Sequence, residues 1–183
     1  MRIISGKYKG RKINPPAGFS ARPTTDYARE SLFNILNNRI DFESVEVLDL
    51  FSGTGSISYE FASRGALSVH LVEKDGRNIS FIRRMVEEMK LINIKPLHID
   101  VKAYLKACHH KYDIVFADPP YELQWLSELP DLVTGASVLK NDGFFVLEHP
   151  RSYHFAGHKY FFEHRDYGSV NFSFFRVDKE KVE

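Results

Sequence analysis

The chain lacks the residues and runs that several classes of protein require. Its 183 residues include a single cysteine, Cys108, so neither an intrachain disulfide nor a zinc site built from several thiolates can form. No apolar run approaches the roughly 18 residues that a membrane-spanning helix needs. The first residues, MRIISGKYKGRK, have no apolar segment typical of a secretory signal. We therefore expect a cytoplasmic protein that makes no contact with membranes.

Acidic residues are absent from the first 25 positions, although the remainder of the chain has 24 of them against 19 basic residues. A basic arm on a mildly acidic body indicates a polyanionic partner that binds at one end. A solvated basic tail is the alternative interpretation. The glycines and prolines of the arm favour short extended pieces and turns. Its basic residues are Arg2, Lys7, Lys9, Arg11, Lys12 and Arg22.

The rest of the chain alternates apolar runs of strand length with segments whose apolar residues repeat at helical spacing. This alternation predicts an α/β fold with a Rossmann-like, doubly wound, mostly parallel seven-stranded sheet that ends in an antiparallel hairpin. The predicted strands are 45–51, 68–73, 95–99, 112–117, 143–148, 159–166 and 170–177. The predicted helices are one that begins after the N-cap Thr25, then 56–64, 75–90, 101–109 and 123–134. We divide the chain into a basic arm with its helix (1–40), a main domain (41–178) and a frayed tail (179–183).

The segment LDLFSGTGS, residues 48–56, places a glycine turn directly after a predicted strand. Gly53 and Gly55 let the backbone turn sharply and approach a ligand closely, at the edge of the sheet where ligands bind. However, Ser58 stands where the dinucleotide fingerprint G-x-G-x-x-G has its third glycine, and the chain contains no GK[ST]. A P-loop is therefore excluded, and an NAD-dependent oxidoreductase remains as a disfavoured alternative.

Three acidic residues near these strand ends suit a cationic nucleoside. Asp49 would repel a pyrophosphate but attract an ammonium group, Glu73 can accept hydrogen bonds from both hydroxyls of a ribose, and Asp100 can hold an adenine amine. Together they indicate the cofactor S-adenosylmethionine, which becomes S-adenosylhomocysteine when its methyl group is transferred. We expect no metal in the site. The predicted cofactor-binding residues are Asp49, Phe51, Gly53, Gly55, Glu73, Lys74, Asp100 and Val101.

Residues 118–121, Asp-Pro-Pro-Tyr, end a predicted strand with two prolines that a strand interior does not tolerate. The exocyclic amine of a base is a poor nucleophile because its lone pair is delocalised into the ring. Hydrogen bonds from that amine to Asp118 and to the Pro119 carbonyl would localise the lone pair, and Pro119 and Pro120 fix the acceptors in advance. Tyr121 can stack on a base that has left its helix. We expect these four residues to be catalytic.

The segments DLFSGTG (49–55) and DPPY (118–121) resemble the two signatures of class I amino-methyltransferases. With SGKYKGRKI (5–13) and RPTTDYARESLFNIL (22–36), the chain resembles the RsmD family over about residues 2–177. The resemblance implies that 41–178 is a methyltransferase domain. It also implies methylation of a guanine N2 in small-subunit (16S) ribosomal RNA, at guanine 966, on naked RNA or the assembling 30S subunit. Separately, we expect the protein to be a monomer. The predicted RNA-contact residues are Arg2, Lys7, Lys9, Arg11, Lys12, Arg22, Thr24 and Arg29, of which Arg22, Thr24 and Arg29 can instead form a lid over the cofactor.

Other substrates and roles stay open. The alternatives are methylation of adenine N6 in DNA, methylation of a protein glutamine, and a non-catalytic RNA-binding module. The methyltransferases that modify a protein glutamine resemble this chain in having the proline pair, but their tetrapeptide begins with Asn, whereas this one begins with Asp118. Against DNA, the chain has little spare length for a domain that reads duplex sequence.

Several conspicuous residues are assigned no chemistry. We interpret Cys108 as a filler residue of a helix, and we expect His149 in the core or at the surface although it lies near the site. His154, His158 and His164 fit no strong metal-binding template. The expected core of the last hairpin consists of Phe161, Phe162, Phe172, Phe174 and Phe175.

Overall fold

The computed structural model describes residues 1–15, 26–168 and 170–177 and contains one seven-stranded sheet. Its strand order is β3-β2-β1-β4-β5-β7-β6, with β1 to β5 parallel and β7 antiparallel to both β5 and β6. The predicted doubly wound sheet with its final hairpin is therefore confirmed. The strands are β1 (Glu46–Leu50), β2 (Ser68–Glu73), β3 (Ile94–His98), β4 (Tyr112–Ala117), β5 (Leu139–His149), β6 (Phe161–Tyr167) and β7 (Val170–Arg176).

Helices cover both faces of the sheet, so the central strands are apolar on both sides. In β4, Ile114 and Phe116 pack into the core under α1, α2 and α3, whereas Val115 and Ala117 pack against α4 and α5. None of the helices within the described ranges is long and apolar enough to cross a membrane. The helices are α1 (Asp26–Asn37), α2 (Ser56–Ser63), α3 (Gly76–Met89), α4 (Val101–Ala107) and α5 (Leu129–Gly135).

Two predicted elements differ in detail. The predicted helix 123–134 is a turn and a short 3-10 helix, Leu126–Glu128, followed by α5. A proline is tolerated only in the first turn of a helix, and Pro130 stands there in α5. In the last hairpin, Phe172, Phe174 and Phe175 are fully buried as expected, but Phe162 is 40% exposed because β6 is the edge strand.

The first residues form a small hairpin that packs against the rest of the fold. This N-terminal hairpin (residues 1–13) is closed by a bridge between Arg2 and Lys12. Ile3 and Ile13 are buried in the core that α1 and α2 share. Gly6 lies against α2 so closely that a Cβ there would stand 1.9 Å from the Ser63 carbonyl oxygen. The predicted N-cap Thr25 lies outside the described residues.

Candidate active site

The two sequence motifs meet at the carboxyl edge of the sheet. β1 and β4 are parallel neighbours, and their last residues, Leu50 and Ala117, are paired in register. The glycine turn follows the first and Asp-Pro-Pro-Tyr follows the second, so the topology places both beside one cleft of about 590 Å³. Of the predicted residues, the cleft wall includes Phe51, Gly53, Glu73, Lys74, Asp100, Val101, Asp118, Pro119, Pro120 and Tyr121.

The two glycines of the turn have different roles. Both have positive φ, 56° at Gly53 and 84° at Gly55, which glycine adopts without strain. Gly53 belongs to the cleft wall, but Gly55 does not; a Cβ at Gly55 would lie 2.9 Å from the ring of Tyr59. Gly53 therefore lies where a ligand could be approached, and Gly55 makes room for a buried aromatic ring. Cofactor binding by the two glycines stays a prediction.

Replacing Gly55 tests this packing role. We expect Gly55→Ala to lower the free energy of unfolding by about 2–4 kcal/mol, since a strained φ and an overpacked ring both contribute. Gly10→Ala is the matched control, because Gly10 has φ 83° but a Cβ there would meet no atom within 4 Å; it should cost only about 1 kcal/mol. Urea unfolding measures both, and equal losses would contradict a packing role against Tyr59.

Asp49 is buried beneath the cleft and does not form part of its wall. Its side chain is 1% exposed and accepts a hydrogen bond from the Ser58 hydroxyl at 2.6 Å. Burial raises the pKa of Asp49 to about 7; the Ser58 hydrogen bond opposes this rise, and the nearby negative charge of Asp118 adds to it. In the sequence, Ser58 was considered only as evidence against a dinucleotide-binding site. In the structure it is the hydrogen-bond partner of the Asp49 side chain.

The other two predicted acids have backbone partners as well as a place in the wall. Glu73 accepts hydrogen bonds from the Gly53 N–H at 2.8 Å and from the Asp75 N–H at 2.7 Å, so it fixes the glycine turn. Asp100 caps α4 by accepting from the N–H of Lys102 at 2.9 Å. A carboxylate has about four acceptor sites, so these bonds leave each acid able to accept from a ligand.

A further carboxylate of the cleft wall was not among the residues predicted from the sequence. Glu148 is buried, lines the cleft, and follows Leu147, which pairs in register with Ala117 just before Asp118. Because neighbouring strands lie about 4.8 Å apart, Asp118 and Glu148 stand side by side at the sheet edge. No local pattern in the sequence signals this neighbourhood, because the strand order that brings β5 beside β4 is a feature of the tertiary structure.

Aromatic rings line another part of the wall. Trp125, the only tryptophan of the chain, has its ring centroid 5.8 Å from that of Phe51. The Lys102 ammonium lies 4.3 Å from the Trp125 ring and packs over it. The Pro120 carbonyl accepts from the Leu123 N–H at 2.9 Å, which closes the turn that carries Tyr121. The cleft therefore combines flat apolar surfaces with carboxylates.

Apart from Arg29, the predicted RNA-contact residues fall into two groups. Arg2, Lys7, Lys9, Arg11 and Lys12 are exposed on the N-terminal hairpin. Arg22 and Thr24 lie outside the described residues.

Arg29 requires a correction. It is 1% exposed and donates to the Arg2 carbonyl at 2.6 Å and to Asp26 at 2.8 Å. A buried guanidinium that is bonded to the carbonyl of Arg2 is not available to an RNA phosphate or as a mobile lid. Arg29 instead joins the hairpin to α1.

His149 and Cys108, which were assigned no chemistry, do not belong to the cleft wall. His149 is buried on β5, bonded to the Ser173 hydroxyl at 2.8 Å, and burial lowers its pKa to about 4. Cys108 is half-buried just after α4. Among the described residues, no three His, Cys, Asp or Glu side chains converge as a metal site would require.

Comparison with known proteins gives consistent similarities. A family model described as conserved hypothetical protein 95 matches residues 1–176. The chain is 36% identical over 155 residues to the putative rRNA methyltransferase YlbH of Bacillus subtilis, covering 82% of this chain and 83% of the relative. It is 34% identical over 148 residues to ribosomal RNA small subunit methyltransferase D of Buchnera aphidicola, covering 81% and 75%. A solved putative methyltransferase of Escherichia coli superposes with a TM-score of 0.84 at 26% identity, covering 97% of this chain and 98% of that one.

Proposed function

The chain belongs to the RsmD family, and from this premise we propose that it transfers a methyl group from S-adenosylmethionine to the N2 amine of a guanine in small-subunit ribosomal RNA. The observation that carries the proposal is the meeting of Glu73 and the glycine turn with Asp118-Pro-Pro-Tyr121 in one cleft. The relatives named as rRNA methyltransferases support ribosomal RNA as the substrate class.

The cleft fits the proposed methyl donor. Its volume of about 590 Å³ lies within the range of about 300–1,000 Å³ that is usual for small-molecule sites. The acids of its wall favour a ligand with a positive charge and hydroxyl groups, and they disfavour a pyrophosphate. The rings of Phe51 and Trp125 offer flat surfaces to an adenine. When bound there, S-adenosylmethionine supplies a methyl group on a positively charged sulfur.

The chain's own residues would prepare the amine. Asp118 and the Pro119 carbonyl accept its two N–H bonds, which localises the nitrogen lone pair, while Tyr121 stacks on the base. Because Pro119 and Pro120 hold these acceptors in place beforehand, little ordering remains for the transition state. The exposed basic side chains of the N-terminal hairpin, such as Lys9 and Arg11, would bind RNA phosphates.

Glu148 supports guanine over adenine as the target. The Watson–Crick edge of guanine presents N1–H beside the N2 amine, whereas adenine has a bare acceptor nitrogen beside its amine. Two adjacent carboxylates, Asp118 and Glu148, match neighbouring donors and would repel the adenine lone pair. Hydrogen bonds that a site makes to a substrate donor discriminate strongly against a base without it.

The proposal is tested by methyl transfer to unmodified small-subunit RNA, with the product mapped by mass spectrometry. We expect N2-methylguanine at the position equivalent to guanine 966, and a rate at least about 10-fold lower for Glu148→Gln, since bonds to charged groups contribute about 1.5–3 kcal/mol. Trp125 fluorescence should respond to S-adenosylhomocysteine but not to NAD. Methyl groups found on adenine, on DNA or on a protein glutamine would contradict it.

A further inference from the structure

A second, polar groove lies outside the cleft, between α1 and the edge strand β6. It has a volume of about 350 Å³, and its polar wall comprises Ser31, Asn34, Asn38, Arg39, Arg165 and Tyr167. In α1, Ser31 and Asn34 are on the side roughly opposite to Arg29, which joins the helix to the N-terminal hairpin. The groove and the basic hairpin therefore flank α1 on opposite sides.

The groove begins at the rim of the cleft. Tyr167 lines the groove and pairs in register with Val170, which lines the cleft. The ring of Tyr167 also meets that of Tyr27 edge-on at 6.3 Å, and Tyr27 is 67% exposed. A pair of tyrosine rings thus stands where a strand that leaves the cleft would enter the groove.

The charged side chains of the groove, Arg39 and Arg165, suit an anion at the end away from the cleft. Arg39 and Arg165 both form ion pairs with Glu163, so two guanidinium groups share one carboxylate. Arg39 is positioned by packing over the rings of Phe174, at 5.0 Å, and Phe162, at 5.8 Å. This arrangement leaves one net positive charge, and a phosphate can approach the guanidinium of Arg165, whose side chain is 52% exposed.

These features match one class of ligand. Aromatic rings, arginines and amides along a groove are the groups that bind single-stranded RNA: rings stack on bases, arginines bind phosphates, and amides bind base edges. We propose that this groove binds the single-stranded nucleotides that flank the target base, while the cleft holds the target itself. The inference rests on the proposed function, since it assigns the path of the same RNA.

Arg165→Gln and Asn34→Ala, combined in one protein, test the groove, because both residues are exposed and neither lines the cleft. We expect the KM for RNA to rise about 10-fold, with kcat and S-adenosylhomocysteine affinity unchanged. The salt dependence of binding should weaken by about 0.7 in log–log slope for the lost phosphate contact. Glu163→Gln should act in the opposite direction and lower KM, since it releases both arginines.

Arg83→Gln on α3 is the matched control, since Arg83 is exposed and the same charge is lost outside the groove. The KM effect should disappear on an RNA trimmed of the flanking single strand. An equal loss with Arg83→Gln, or an unchanged KM in the double variant, would overturn the proposal.

Direct binding separates this proposal from the proposed function. Fluorescence anisotropy with a labelled single-stranded RNA measures affinity even if no methyl group is transferred. Weaker binding in the double variant, but not in Arg83→Gln, supports the groove. The proposal is refuted if the wild-type chain does not bind this RNA, or if the double variant loses affinity for duplex and for single-stranded RNA equally.

Discussion

Asp118→Ala should reduce the rate of methyl transfer about 100-fold or more, because it removes a preorganised acceptor from the cleft. The Pro119 carbonyl alone cannot hold both N–H bonds of an amine, so the lone pair stays delocalised in the ring. The rate is measured in single turnovers at saturating S-adenosylmethionine with unmodified small-subunit RNA. Affinity for S-adenosylhomocysteine, followed through Trp125, should stay within about 2-fold if the change affects catalysis alone.

Two further variants sharpen this experiment. Asp118→Asn keeps an acceptor oxygen but cannot take a proton, so a much smaller loss than with Asp118→Ala would mean that Asp118 acts as an acceptor only. Asp131→Ala is the matched control, an exposed carboxylate on α5 outside the cleft. Undiminished transfer by Asp118→Ala would refute the assigned role of the Asp-Pro-Pro-Tyr segment.

Glu60→Ala should lower the free energy of unfolding by about 3–5 kcal/mol, since it breaks a buried charge pair. Glu60 is 1% exposed in α2, pairs with Arg64 at 2.9 Å, and accepts from the backbone N–H groups of Ile4 at 2.8 Å and Ser5 at 3.0 Å. Without it, both N–H groups lose their partner and the N-terminal hairpin loses two of the hydrogen bonds that attach it to α2. Urea unfolding measures the loss, and hydrogen exchange at Ile4 and Ser5 reports whether the hairpin opens.

Glu88→Ala provides the comparison for Glu60. Glu88 is also a glutamate four positions from an arginine, Arg84, but both are more than half exposed and 3.8 Å apart. Exposed pairs of this kind contribute about 0.3–0.5 kcal/mol, so Glu88→Ala should change stability little. Similar losses in the two variants would mean that the buried bonds of Glu60 do not hold the hairpin.

Much of the fold follows from local patterns. Alternating strand and helix periodicities predicted the sheet, and the glycine turn and the Asp-Pro-Pro-Tyr segment each marked the end of a strand. Since parallel strands present their carboxyl ends at the same edge, the two motifs had to face one cleft once β1 and β4 were neighbours. Such conclusions need only spacing along the chain and the geometry of a parallel sheet.

Single residues were harder to place from the sequence. Arg29 and Asp49 were predicted to contact ligands, and both are buried. Arg29 is bonded to the distant Arg2, and Asp49 to Ser58, nine residues away. Gly55 was predicted only as a place where the backbone approaches a ligand, and the structure adds that it leaves room for Tyr59. The burial of a charge depends on which elements pack over it, and periodicity does not encode that packing.

The sequence by itself determined the alternation of strands and helices, the position of the Asp-Pro-Pro-Tyr segment at a strand end, and the basic character of the first residues. Only the tertiary structure decided that Glu148 stands beside Asp118, that Glu60 holds the N-terminal hairpin, and that α1 and β6 enclose a groove. The physical reason is distance along the chain. Local patterns arise from neighbours a few residues apart, whereas these contacts join segments that are far apart in sequence and meet only when the sheet is complete.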